Sequence, residues 1–429
     1  MFLRRLVAFP ESQRILVIHM LAYLCVAVEY GVTGIMVATL LRDRFGASTW
    51  QTLMATSSVP IMSLMAIFWN EVYRRLHVGA YLLALWTVAV LPLGLIACFA
   101  SAWPVLICVL IAAFGTGGIQ SLYADILRNC YPPAARGRIF SVLKTIEQSV
   151  MMVTSFAVGT WLDARHDAYR YYFPITVAVV GVGFLLLHRI TREPLFLERP
   201  RETSTQPILT SLGGAYRNML AALRNDPGFR RYETAFGIYG LGWMICYSLL
   251  AFLVTDKLGL RYQHIALSTQ SVLQFTTLVM LLPAGMLLDR IGPIRLCGWT
   301  FLMLIAYPLG LLFATHAGWL AAYTVIYGVG MASVNMCWTM GPVSLAKNPS
   351  QAPHYLAIHA TLVAVRAVFG QLPAVAFYHW TGRLGPPFVA AAVLFGIGSI
   401  LMFRLARWRE APVKPAAEPP VEIIAVQSD

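Results

Sequence analysis

Long apolar runs alternate with short polar breaks from one end of the chain to the other. About twelve runs are centred near residues 28, 61, 89, 115, 150, 181, 244, 277, 304, 331, 365 and 396. Each reaches the ~20 residues a helix needs to cross a ~30 Å hydrocarbon core. The first, Ile15 to Leu41, is too long for a signal-peptide core of ~7–15 residues and is expected to stay as a span. The pattern predicts an all-α integral membrane protein with 12 transmembrane helices in two pseudo-symmetric six-helix bundles. Its expected parts are a cytoplasmic N-terminus (1–14), a first bundle (15–190), a cytoplasmic central loop (191–230), a second bundle (231–408) and a disordered cytoplasmic tail (409–429).

The central loop carries Pro194, Pro200 and Pro207. In its second half, Ile208, Leu209, Leu212, Tyr216, Met219, Leu220 and Leu223 share one helical face, with Arg217 and Arg224 off it. That periodicity predicts an interfacial amphipathic helix, broken by Asp226-Pro227-Gly228. The two halves also repeat. Asp43-Arg44-Phe45-Gly46 closes the first run and Asp256-Lys257-Leu258-Gly259 the seventh. Asn129-Cys130-Tyr131-Pro132 and Lys347-Asn348-Pro349 link matching runs, and Ala66-Ile67-Phe68-Trp69-Asn70 falls where Gly285-Met286-Leu287-Leu288-Asp289 falls. A duplicated helical unit places a cavity at the interface of its halves.

Hydrophobic residues make up 58% of the chain, charged residues 12%, and mean hydropathy is +0.67. A soluble domain carries about 25% charged residues. The net charge of +13 does not indicate nucleic acid, because its placement follows topology. With both termini inside, 23 arginines and lysines fall on the inner side and 7 on the outer, with Lys144 and Arg366 left within the membrane. The positive-inside rule then makes both termini cytoplasmic, with attraction to anionic lipid headgroups. The seven cysteines form no CxxC or zinc-like spacing and read as small apolar fillers, so no metal or other cofactor is expected. There is no Walker loop, HExxH or GxSxG, so neither direct ATP use nor enzymatic activity is expected.

At this point the chain resembles the major facilitator superfamily over nearly its whole length. Gly285, Asp289, Arg290 and Gly292 match the family's hairpin signature; Pro293 stands where a base is usual, with Arg295 two positions on. Pro132-Pro133-Ala134-Ala135-Arg136-Gly137-Arg138 is similar to the family's loop between spans four and five. In the first half the signature is worn: Asn70 and Glu71 replace Asp-Arg, and Tyr73 replaces the second glycine. The resemblance implies that Asp289 and Arg290 steady one state of an alternating-access cycle. A carboxylate near a helix N-terminus can make such a contact and release it when helices rock. Asp125 and Arg128, at the inner end of the fourth span, are further candidates for the gate. A turn that merely keeps two helices from fusing is the plainer reading of the hairpin.

Ionisable residues inside spans are costly and therefore functional candidates. Glu29 lies near the middle of the first span, with Thr33 one turn on. It reads as a site for a proton or cationic substrate, or as a structural carboxylate bonded to a neighbouring helix. Lys144, Glu147 and Gln148 share a face of the fifth span. There Lys144 and Glu147 could satisfy each other, or Glu147 could join the proton path. Arg366 sits in the middle of the eleventh span, where it either binds an anionic group or pairs with an acid that its own helix lacks. His359 lies on the same face. Polar and aromatic stripes supply Gln120 and Tyr123, Gln270 and Gln274, Asn335 and Trp338, and Trp243 and Tyr247. The resemblance implies that spans one, four, seven and ten line the cavity. Amides beside aromatics suit a small organic molecule, although a single aromatic is more often packing. The expectation is secondary active transport of a small organic solute in the plasma membrane by a monomer, coupled to a proton or another ion. An anion-selective carrier using Arg366, and a receptor or assembly factor on the same fold, are the alternatives.

Overall fold

A computed structural model describes residues 10–196, 208–346 and 352–410. The expected features at residues 1–9, Pro200 and Pro207, the Lys347-Asn348-Pro349 link and the tail from residue 411 lie outside the described residues. Within them the regular structure is entirely helical, as it must be where lipid offers the backbone no hydrogen-bond partners. The first half of the chain holds α1 (Pro10–Val32), α2 (Ile35–Asp43), α3 (Thr49–Met62), α4 (Ala66–Arg75), α5 (Val78–Leu85), α6 (Leu91–Leu95), α7 (Ala102–Thr116), α8 (Ile119–Cys130), α9 (Pro133–Ala164) and α10 (Tyr169–Ile190). After α11 (Ile208–Asn225) come α12 (Pro227–Phe252), α13 (Tyr262–Ile265), α14 (Val272–Ile291), α15 (Pro293–Leu304), α16 (Ala306–Leu312), α17 (Ala317–Leu345), α18 (Ala352–Thr381) and α19 (Gly385–Glu410).

Among the described residues, ten helical segments are long and apolar enough to cross a membrane. An eleventh is added if the pair Thr49–Met65 and Phe68–Arg75, bent by 50° after Pro60, counts as one span. The remaining expected centre, near residue 150, falls on α9. That helix runs for 32 residues, but Lys144, Glu147 and Gln148 dilute its apolar run. Large apolar side chains such as Leu185 and Leu282 stand exposed on the outside of the helices, as a lipid-facing surface requires.

Several spans are interrupted. The first breaks at Thr33-Gly34, where Gly34 has φ +64° and separates α1 from α2. Wider π-helical turns occupy Trp86–Val90, Leu253–Lys257 and Ala266–Ser271. Such turns offset the helical register locally and often mark functional sites.

One turn is repeated down to its hydrogen bonds. After α2, Phe45 N–H donates to Leu40 O and Ala47 N–H to Leu41 O; after α12, Leu258 N–H donates to Leu253 O and Leu260 N–H to Val254 O. Gly46 (φ +61°) and Gly259 (φ +54°) make the same left-handed step, with open space where a side chain would go.

The packing differs between the two ends of the molecule. At the arginine-poor end, α3 packs on α18, and α9 packs on α13 and the Ala266–Ser271 turn. One hydrophobic core there joins Val32, Met36, Leu40, Leu53 and Val158 of the first half to Phe252, Tyr262, Ile265 and Val375 of the second. At the arginine-rich end, Ile15, Tyr81, Leu122, Ile139 and Leu187 form a separate first-half core. The helix α11 forms as its periodicity predicts, but its apolar face is not all given to lipid. Met219 is buried against Phe229, Tyr355 and Ile358, while Arg217 and Arg224 are exposed.

Candidate functional site

Glu29 is buried, with 6% of its surface exposed. Its carboxylate makes no hydrogen bond or ion pair among the described residues. It lines a narrow cavity of about 20 Å³, room for one water, together with Tyr30, Ala89, Gly115, Thr116 and Phe184. The cavity lies one turn before the Gly34 break. Thr33 is placed there too, but its hydroxyl donates to the Glu29 carbonyl at 2.9 Å rather than to the carboxylate. Gly31 lets α1 approach α9 closely, since a Cβ there would lie 2.6 Å from Thr154 Cβ. On α9, Lys144 Nζ donates to both Glu147 oxygens at 2.8 and 2.9 Å. The charges of Glu147 and Glu29 both reach Tyr30 and Tyr123, so the two acids share one tyrosine-rich region. Tyr123 packs 4.6 Å from Tyr23, and His19 stacks on Tyr131 and shares a 3.1 Å hydrogen bond with its hydroxyl.

A second buried ionic group lies on α12 and α18. His359 Nδ1 meets the Glu233 carboxylate at 2.8 and 3.0 Å. The Arg366 guanidinium stands 5.3 Å from the centre of the Phe236 ring and 5.5 Å from that of Trp338. Two of its nitrogens donate to the carbonyls of Leu362 and His359 at 3.2 Å, and Glu233 lies within its electrostatic reach. Gly240 makes the fit possible: a Cβ there would fall 2.3 Å from Arg366 Cδ. Glu233, bonded to His359 rather than to Arg366, is the nearby acid that the Arg366 helix does not supply. The sequence reading passed over it because it follows Arg230 and Arg231, which read as the membrane surface.

The remaining expected contacts are dispersed. Trp243 donates its indole N–H to the Tyr327 hydroxyl and lies 5.6 Å from Tyr247. Trp338 packs on His359 at 4.2 Å. Gln274 is buried. The amide of Gln270 comes within 3.7 Å of where a Cβ on Gly34 would sit, bringing it to the α1 break. Gln120 and Asn335 are exposed and join neither ionic group.

The two hairpins solve one problem differently. Gly292 is the single residue between α14 and α15, at φ +77° and ψ 162°, and Pro293 opens the next helix. Proline there costs no hydrogen bond and presets the helical φ. Asp289 and Arg290 are exposed and form no ion pair among the described residues, and Gly285 faces Met336. In the worn first-half hairpin the charge is instead buried. Glu71 is clamped by Arg75 at 2.7 Å and Arg74 at 3.3 Å, and Asn70 accepts from Ser121 at 3.2 Å. Asp125 is buried and accepts from Tyr73 at 3.0 Å, with Arg128 at 4.0 Å.

A polar latch that the sequence reading did not assemble joins the halves at the arginine-poor end. Arg42 donates to both oxygens of Asp256 at 3.1 and 2.8 Å, and Tyr378 donates to the same carboxylate at 2.8 Å. Tyr262 donates its hydroxyl to Asp43 at 2.7 Å. Asp163, at the end of α9, accepts the backbone N–H groups of Tyr262 and Gln263, each at 2.9 Å. Deeper in, Ser57 donates to Gln371 at 2.6 Å.

The model of the Major Facilitator Superfamily matches residues 20–370 of this chain. The chain belongs to that family. No curated protein matches it. Among solved structures, this superfamily member is similar to the human organic anion transporter MFSD10 (TETRAN), with TM-score 0.64 and 16% identity over 92% of this chain and 100% of that one. The nucleoside transporter NupG matches with TM-score 0.68 and 12% identity over 94% and 100%. An autoinhibited peptide transporter of the POT family matches with TM-score 0.70 and 12% identity over 95% and 99%. At these identities the likeness shows the fold alone.

Proposed function

We propose that this chain is a secondary active transporter that moves a small organic solute by alternating access and draws on a proton gradient through Glu29. The observation that carries the reading is Glu29 itself: a buried carboxylate without a partner among the described residues, in a water-sized cavity beside a broken helix. Discontinuous helices near the bilayer midplane are where carriers bind substrates and coupling ions. A structural carboxylate would be hydrogen-bonded to its neighbours, and this one is not.

The latch supplies the second state-dependent element. Two six-helix bundles that close at the arginine-poor end and part at the other would form the inward-open half of the cycle. Organic anions, nucleosides and peptides are the cargoes named for the three folds compared above, and all are small organic solutes. Trp243, Tyr247, Gln270 and Gln274 are the substrate contacts this reading prefers: Gln270 reaches the α1 break, and Trp243 and Tyr247 form an aromatic pair beside Tyr327. Selection of an anion by Arg366 has less support, since Glu233 offsets its charge and two of its nitrogens are already bonded. A receptor role has less support too, because the worn hairpin keeps a buried charged clamp at Glu71.

The test is solute flux in proteoliposomes under an imposed pH gradient. Glu29→Gln is expected to abolish proton-driven accumulation while solute exchange at equilibrium persists. Accumulation that survives the substitution would refute coupling through Glu29.

A further inference from the structure

The cavity beside Glu29 is walled by α1, α5, the Trp86–Val90 turn, α7, α8 and α10, all from the first half of the chain. Parting the two halves therefore does not by itself bring water to the carboxylate. Toward the arginine-poor end, Val32, Met36 and Leu40 pack into an apolar core that offers a proton no stepping stone. Toward the arginine-rich end the lining is different. His19, Tyr23 and Tyr30 are spaced by four and seven residues and share one face of α1. Ile119, in the cavity wall, stands one turn before Tyr123 on α8. The Tyr123 ring centre lies 4.6 Å from that of Tyr23 and 6.1 Å from that of His19, and Tyr30 and Glu29 are within its electrostatic reach. His19 Nδ1 in turn meets the Tyr131 hydroxyl at 3.1 Å. Tyr131 follows α8 directly, where the chain turns at Pro132 toward exposed Gly137 and Arg138.

Two polar atoms in this column are buried without a hydrogen-bond partner among the described residues: His19 Nε2 and the Tyr123 hydroxyl. An unmet buried polar group costs about 1–3 kcal/mol, and a phenylalanine at position 123 would give the same packing without that cost. Packing alone therefore does not account for the two atoms, whereas a passing proton or water uses both. The groups that face His19 are Tyr23 from its own helix, Tyr123 and Tyr131 from α8 and its end, and apolar Phe184 and Leu187 of α10 in the same core. From α9 the charge of Glu147 reaches Tyr23, and Lys144 is held by Glu147. We propose that His19, Tyr123 and Tyr30 form the route by which Glu29 exchanges its proton with the arginine-rich side, with Tyr131 at its mouth. A proton from water binds the Tyr131 hydroxyl, which passes its own proton to His19 Nδ1. His19 releases a proton from Nε2 to Tyr123, directly or through one water. Tyr123 hands one on through Tyr30 and a water in the cavity to the carboxylate. Each relay group gains one proton and loses one, so the net change is one carboxylate made neutral. The route rests on the reading of Glu29 as an exchanging group, and deepens it by naming the side from which the proton comes.

The test is a pH jump on the full chain in lipid nanodiscs, followed by time-resolved infrared spectroscopy. The C=O stretch of the protonated carboxyl, identified as the band that Glu29→Gln removes, reports the proton on Glu29. Tyr123→Phe deletes one hydroxyl and keeps the ring. It is expected to slow the rise of that band about tenfold, the kinetic worth of one hydrogen bond. His19→Gln should slow it at least as much. Neither should change the final amplitude at a given pH, since a relay sets a rate and not an equilibrium. Tyr172→Phe removes another buried hydroxyl without a partner among the described residues, in the core at the arginine-poor end, and should change neither rate nor amplitude. Unchanged rates in Tyr123→Phe and His19→Gln, slowing matched by Tyr172→Phe, or a changed amplitude at the original rate would overturn the route. Solute flux separates this outcome from the coupling reading. Accumulation that survives Glu29→Gln, while the relay variants still slow the infrared band, would refute coupling and leave the route standing.

Discussion

Arg366 shows how a charge can sit in the middle of a span. Its guanidinium is shared among two backbone carbonyls, two aromatic faces and the field of Glu233. Removing the guanidinium leaves Glu233 with His359 as its only partner among the described residues, and breaking a buried charged group costs about 3–5 kcal/mol. Arg366→Met should therefore lower the melting temperature sharply, and Arg366→Met/Glu233→Gln should recover most of the loss. Equal damage in the single and double variants would mean that the two charges do not depend on each other. Glu29 and Arg366 were legible in the sequence because each is an isolated charge in an apolar run. Glu233 was not, because two arginines precede it and hydropathy cannot tell the last residue of a surface segment from the first buried turn. Nor could sequence foresee that Thr33 would bond the Glu29 backbone instead of its carboxylate; that follows from the geometry of a helix end.

Helices were the most legible elements, since a run of apolar residues in lipid has few alternatives to helix. Their interruptions were not. Hydropathy sums over a window and is blind to hydrogen-bond register, so the Gly34 break and the π-helical turns at Leu253–Lys257 and Ala266–Ser271 left no mark on it. The hairpin at Gly292 was legible because it needs particular residues. Its φ of +77° and ψ of 162° lie in a region essentially closed to residues with a Cβ. Gly292→Ala should cost about 1–3 kcal/mol in detergent-solubilised protein. Gly285→Ala should cost much less, because the atom it meets is the flexible end of Met336 at 3.4 Å. Similar losses from both substitutions would show that close packing, rather than backbone conformation, is what the signature glycines provide.

On the scale of the whole molecule, the latch is the feature that sequence could least disclose. Arg42 and Asp256 are 214 positions apart, and each by itself looks like an ordinary charge at a helix end. The repeat of their turns was visible, but a repeat does not say which copies touch. The Arg42–Asp256 pair is partly exposed, and such a pair is worth about 1 kcal/mol, or about fivefold in a ratio of states. In the transport reading, Arg42→Ala should raise by about that factor the rate at which an impermeant maleimide, added from the arginine-poor side, reaches a cysteine placed at Gln274. The background would carry Cys98→Ser to remove the exposed native thiol. The exchange Arg42→Asp/Asp256→Arg should return the rate toward the original. An unchanged rate in Arg42→Ala would remove this pair from the gate.

The long helix α9 has a mechanical consequence. It is a single rod of 32 residues, about 48 Å from end to end. The Lys144–Glu147 pair lies partway along it, and Asp163 grips the backbone of the other half from its far tip. A pivot of about 5° around its arginine-rich end would sweep that tip through roughly 4 Å, beyond the reach of any hydrogen bond. A lever of this length converts a small tilt where α9 meets α1, the helix of Glu29, into release of the Asp163 grip. In the transport reading the two sites would then be coupled by the tilt of one helix.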